Sequence, residues 1–196
     1  KTLRQLPLHV VLVAVGAVMV APLLYAVLSG FKSTDELSRN PFGLPEHWLT
    51  GNYTDILGSG DFWRLLGNST LVAVATTVIV VAASALAAFA FARFAFRGRE
   101  LLFTFFTMGL MFPFAVAALP LFLLLRYLDL LDNPLGVILP QAAFGLPMTI
   151  IILRGFFRQI PGELEEAATL DGCSAFGFFW RVLLPMARPA LGTVSV

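Results

Sequence analysis

Charged residues are absent from four long stretches of the chain. No Asp, Glu, Lys or Arg occurs from Gln5 to Phe31, from Leu65 to Ala92, from Leu101 to Leu125 or from Asn133 to Leu153. Each stretch exceeds the roughly 20 residues that carry a helix across about 30 Å of hydrocarbon. The runs are continuously apolar, whereas barrel strands would alternate over about ten residues. In lipid the backbone must bond to itself, which an unbroken apolar run does as a helix. A fifth uncharged stretch, Pro189 to Val196, ends with the chain. The pattern predicts an all-α, polytopic transmembrane bundle of four complete spans and a truncated fifth. Lys1 and Arg4 ahead of the first run resemble a signal peptide. The run is too long for one, and Pro22 and Tyr25 interrupt a simple cleavage site, so it reads as a retained span.

Composition agrees. The chain of 196 residues is 58% hydrophobic and 13% charged, with a mean hydropathy of +0.85, against about 25% charged in soluble domains. An ordinary soluble enzyme, a disordered chain and a nucleic-acid module are excluded. A net charge of +1 offers no surplus for phosphate backbones. One cysteine, Cys173, allows no intrachain disulfide and no CxxC metal site.

The arginines and lysines give the orientation. With the N-terminus inside, the inner segments hold Lys1, Arg4, Arg93, Arg97, Arg99, Arg154, Arg158, Arg181 and Arg188, and the outer ones Lys32, Arg39, Arg64 and Arg126. The N-terminus is therefore expected in the cytoplasm. The outer loop from about Lys32 to Arg64 carries Trp48, Tyr53 and Trp63, read as interface aromatics. It is also large enough to touch an extracytoplasmic partner.

The inner segment 154–188 is polar. Pro161-Gly162 breaks the preceding helix. Acidic residues then crowd the first turn of Glu163-Leu164-Glu165-Glu166-Ala167-Ala168-Thr169-Leu170-Asp171-Gly172, which suits the positive end of a helix dipole. Gly172 is placed to end that helix of two to three turns in a left-handed conformation. Glu163 and Glu165 read as solvated first-turn carboxylates.

Glu166-Ala167-Ala168, three residues, Gly172, nine residues and then Val182-Leu183-Leu184-Pro185 make a register. It resembles the EAA loop of binding-protein-dependent ABC importer permeases, E-A-A-x3-G-x9-I-x-L-P, with Val182 in place of Ile. Asp171, Phe179, Pro189, Asn68-Ser69 and the turn Arg93-Phe94-Ala95-Phe96-Arg97-Gly98 resemble the carbohydrate branch. The likeness is to the smaller permease subunit of maltose-type importers, and it covers almost the whole chain.

The resemblance implies a type I importer fold, with residues 1–196 as a single transmembrane domain. It implies a permease subunit of the bacterial inner membrane that forms part of the pathway for a sugar or oligosaccharide. The expected partners are a dimer of ATP-binding cassette ATPases, a second permease, an extracytoplasmic solute-binding protein and the lipid bilayer. ATP and Mg are expected on the ATPase, with no cofactor in this chain and no nucleic acid as partner. No GxxxxGK[ST] loop is present, and the resemblance implies a transport subunit rather than an enzyme. Glu166, Ala167, Ala168 and Gly172 are the expected ATPase-coupling residues, supported by Asp171, Leu184 and Pro185. Glu166 would supply a charge-assisted hydrogen bond across the interface, and the alanines would permit close approach. The family normally continues with two further spans, so the chain is expected to be about two-thirds of a subunit. Amino acids, polyamines or oxyanions stay open as substrates, and a non-transporting scaffold stays open as a role.

Among other candidates, Pro22, Pro113, Pro120, Pro140 and Pro147 can kink spans and free backbone groups along a pathway. Gln141, Asn68, Ser84 and Thr149 line a path or bond a neighbouring helix. His9 reads as an interfacial or packed histidine, and Asp129 and Asp132 as turn residues. The span interiors lack charge, which argues against an ion-driven pump.

Overall fold

The computed structural model describes residues 6–195. Lys1 and Arg4, counted above as inner charges, lie outside them, as does Val196. The described residues form helices without strands: α1 Leu6–Ser29, α2 Thr34–Arg39, α3 Gly51–Gly58, α4 Gly60–Arg93, α5 Arg99–Met108, α6 Phe114–Tyr127, α7 Leu135–Gln159, α8 Glu163–Leu170, α9 Ala175–Phe178, α10 Leu184–Met186 and α11 Arg188–Val194. The chain divides into two compact units, Lys1–Leu66 and Gly67–Val196.

In the first unit, α1 presents its apolar side chains outward along almost its whole length, as a helix that meets lipid or another chain would. The loop after it is built rather than slack. Lys32 is buried, and its ammonium donates to the carbonyls of Asn40 at 2.7 Å and Gly43 at 2.6 Å. Ser33 caps α2 by accepting from the Glu36 N–H. Glu36, also buried, accepts the Glu46 N–H at 2.7 Å. The aromatics assigned to a membrane interface serve this loop. Phe31 packs on Trp48 and Tyr53 with ring centroids 5.1 and 4.7 Å apart. The Tyr53 hydroxyl donates to the Val27 carbonyl, and the Trp63 indole N–H to that of Leu57.

Three helices among the described residues are long and apolar enough to cross a membrane: α1 over His9–Ser29, α4 and α7. The expected third span is not one straight helix. A turn of 3-10 helix at Gly109–Met111 follows α5, and the segments Arg99–Met111 and Ala115–Tyr127 meet at 102° across the break that follows it. Pro113 lacks an N–H, and it holds Phe112 in extended backbone (φ −81°, ψ 116°). Two helices also outrun their charge-free stretches. α4 starts at Gly60 because Ser59 accepts the Phe62 N–H, with Asp61 in its first turn. α7 continues past Leu153 through Arg154 and Arg158.

The core of the second unit joins α4, α7 and the C-terminal helices. Ala88, Leu153, Phe157, Leu183 and Ala187 are fully enclosed, with Phe89, Phe178 and Phe179 packed among them. Small residues set the approach of α4 and α7, since a Cβ on Gly145 would stand 3.1 Å from Val80. Between α9 and α10 the backbone makes one π-helical turn, Phe179–Leu183, and the Leu184 N–H bonds the Phe179 carbonyl. The next residue, Pro185, cannot donate, and the wider turn gives its ring room. Leu184-Pro185 thus continues the helical path through this turn.

Candidate functional site: the α8 segment

The break expected at Pro161-Gly162 falls between α7, which ends at Gln159, and α8, which starts at Glu163. The end of α8 is a Schellman motif. The Cys173 N–H bonds the Ala168 carbonyl at 2.8 Å, and the Gly172 N–H bonds that of Thr169 at 3.0 Å. Gly172 has φ +77°, a conformation that side chains with a Cβ adopt at a cost. Asp171 is the C-cap residue. Ser174 then starts α9 by accepting the Gly177 N–H.

The two faces of α8 differ. Glu163, Glu166, Ala167 and Leu170 are exposed at helical spacing i, i+3, i+4 and i+7. Leu170 is 89% exposed although apolar. The Glu166 carboxylate has no hydrogen bond or ion pair among the described residues. On the opposite side Ala168 packs against the core and Glu165 is half-buried. The structure therefore corrects the reading of Glu165 as solvated. Its carboxylate lies 3.6 Å from Nη1 of Arg93 at the end of α4. An open groove runs along this edge, lined by Arg93, Gly162, Glu165, Glu166, Thr169 and Leu170.

The sequence marks Arg93 as an inner positive charge and as the start of the turn that resembles the carbohydrate branch. It does more: Nη2 donates to the carbonyls of Phe157 at 2.9 Å and Ile160 at 2.7 Å. These close the C-terminal end of α7, whose last carbonyls lack helical partners. Arg154 is likewise structural. It is 5% exposed, lies 3.7 Å over the Phe103 ring and reaches the Glu100 carboxylate at 2.6 Å. Its Nε donates to the Phe91 carbonyl at 3.3 Å. Arg99 and Arg158 approach the same carboxylate at 3.1 and 3.5 Å. Both arginines thus complement carbonyl-rich helix ends.

The proposed site residues do not all gather. Glu166 and Ala167 share the outward face, Ala168 faces inward, and Asp171 and Gly172 form the turn. Leu184 instead lines an apolar groove with Thr77, Ala85, Trp180 and Leu191, and Pro185 is exposed on the returning helix. The apolar residue of that register that is fully enclosed is Leu183.

Residues 80–195 match the family described as binding-protein-dependent transport system inner membrane component. The chain is 37% identical over 188 residues to the diacetylchitobiose uptake system permease protein NgcG of Streptomyces coelicolor, covering 96% of this chain and 62% of that protein. It is 32% identical over 186 residues to the arabinooligosaccharides transport system permease protein AraQ of Halalkalibacterium halodurans, covering 93% of this chain and 66% of that one. The chain thus spans somewhat less than two-thirds of the length of these relatives. A chain in the crystal structure of a bacterial ABC transporter involved in import of the acidic polysaccharide alginate superposes with a TM-score of 0.82 at 26% identity, covering 99% of this chain and 68% of that chain.

Proposed function

The chain belongs to the family of binding-protein-dependent transport system inner membrane components, and from that premise we propose that it is a permease subunit of an ATP-driven importer for a sugar or oligosaccharide. The names of the two relatives support the substrate class, since both describe carbohydrate uptake. The subunit sits in the inner membrane as a multi-pass protein with its N-terminus in the cytoplasm. It crosses with α1, α4, the bent α5–α6 pair and α7, and α11 opens a fifth crossing. Its partners are a second permease, a pair of ATPase subunits that hold ATP and Mg, and an extracytoplasmic solute-binding protein.

One observation carries the mechanism. α8 turns an unpartnered carboxylate, a small alanine and an exposed leucine outward while its other face is fixed to the bundle. A short helix of this kind fits a groove on a partner. Glu166 forms a charge-assisted hydrogen bond there, Ala167 allows close approach, and Gly172 returns the chain to the bundle. Closure of the ATPase pair on ATP displaces α8, and the bundle alternates between outward- and inward-facing states.

The test is reconstitution with the ATPase, the second permease and the binding protein. Glu166→Lys or Gly172→Pro should abolish solute-stimulated ATP hydrolysis and uptake. Survival of both would overturn the coupling role of α8. Binding assays with the cognate solute-binding protein decide the substrate, and an amino acid, polyamine or oxyanion as its ligand would overturn the carbohydrate assignment. A membrane-impermeant thiol reagent should reach Cys173 from the cytoplasmic face; labelling from outside intact cells would reverse the topology.

A further inference from the structure

Arg93 is one side chain that touches three other segments. It is the last residue of α4, and its side chain is 10% exposed. It closes the end of α7 through the Phe157 and Ile160 carbonyls. It pairs with Glu165 on α8 and lies 5.9 Å from the centroid of the Phe178 ring on α9. α8 needs such a tie. It follows the Pro161-Gly162 break, its N-cap Gly162 has no side chain to cap it, and its outward face has nothing to brace it. Among the described residues, Arg93–Glu165 is the ion pair that joins α8 to another helix.

We propose that Arg93 is a positioning residue that makes α8 move as one body with the ends of α4 and α7. A push on α8 would otherwise be absorbed by rotation about Pro161-Gly162. With Arg93 in place it is delivered to α4, through the pair with Glu165, and to α7, through the two carbonyls. A guanidinium suits this task because its planar fork serves several acceptors at fixed angles. A lysine ammonium, a point charge on a flexible stem, can hold one or two of them. The proposal rests on the reading of α8 as the coupling helix.

The experiment uses the complete reconstituted importer and reads two quantities: the ATPase retained by the membrane complex, and the solute moved per ATP hydrolysed. Arg93→Gln should retain the ATPase and lower solute per ATP by about tenfold, inside the range expected of a residue in a coupling path. Arg93→Lys should recover part of that loss. Glu165→Gln, which leaves the carbonyl bonds of Arg93 intact, should lower the ratio by about two- to threefold. An unchanged ratio in Arg93→Gln, or loss of the ATPase from that complex, would overturn the proposal. If Arg93→Gln does not accumulate, Glu165→Gln decides alone: a reduced ratio supports the link and an unchanged one overturns it. Glu166→Lys, run in parallel, separates the two claims. If it abolishes uptake while the Arg93 and Glu165 variants keep the normal ratio, α8 couples but Arg93 does not position it. If uptake survives Glu166→Lys, the coupling reading itself fails.

Discussion

The loop after α1 and the segment around α8 are both polar stretches in an apolar chain, yet they dispose of their charges differently. In the loop, Lys32 and Glu36 are buried and answered by backbone carbonyls and an N–H. Around α8, Arg93 and Arg154 are spent in the same way, but Glu166 and Glu163 are left outside. A charge answered by backbone shapes its own segment. A charge left without a partner on a rigid helix is available to another molecule.

Substitution can test that distinction, and the expected effects descend in size. Lys32→Met should be the most damaging, because it strands two part-buried carbonyls. A loss of about 3 kcal/mol is expected from two charge-assisted bonds, visible as faster hydrogen exchange and proteolysis across residues 32–46. If the loop stays protected, the ammonium is not what holds it. Arg154→Met removes the contacts to Phe91 and Phe103 but leaves a Glu100 side chain that is 60% exposed and can hydrate. It should cost about 2 kcal/mol, read as a lower unfolding temperature in detergent. Glu36→Gln keeps an acceptor for the Glu46 N–H but loses the charge, which is expected to cost about 1 kcal/mol in the same assay. Glu166→Gln should fall within about 0.5 kcal/mol of the parent, as surface substitutions do, while uptake by the assembled importer drops. A stability loss comparable to that of Glu36→Gln would show that Glu166 is a structural carboxylate after all.

The parts of the site that were legible in the sequence are those set by neighbours along the chain. Pro161-Gly162 ends α7 and Gly172 ends α8 because break and left-handed turn are local events. The all-helical class followed from the charge-free stretches for a similar reason. What stayed hidden depends on distant partners. Arg93 bonds carbonyls 64 and 67 residues away, and Arg154 one 63 residues away. Charge counting sees such arginines only as markers of orientation. The register singled out Glu166 among the three glutamates of that turn and left Glu163 and Glu165 alike, and the arginine across the groove distinguishes Glu165 from Glu163. The bend between α5 and α6 was half visible. Pro113 marked a kink, but an uninterrupted apolar stretch says nothing of its angle. The superposition on an importer chain agrees with the all-helical fold, and the sugar reading rests on the residues flanking the register that resemble the carbohydrate branch together with the names of the relatives.

The knot at Lys32 has a consequence for the chain as a polymer. Its ammonium ties Gly43, eleven residues ahead, back to the foot of α1, and so closes a ring in the way a disulfide would. With a single cysteine the chain cannot make that ring covalently within itself. The lysine supplies a cross-link that no reductant opens and that can re-form each time the loop is pulled apart.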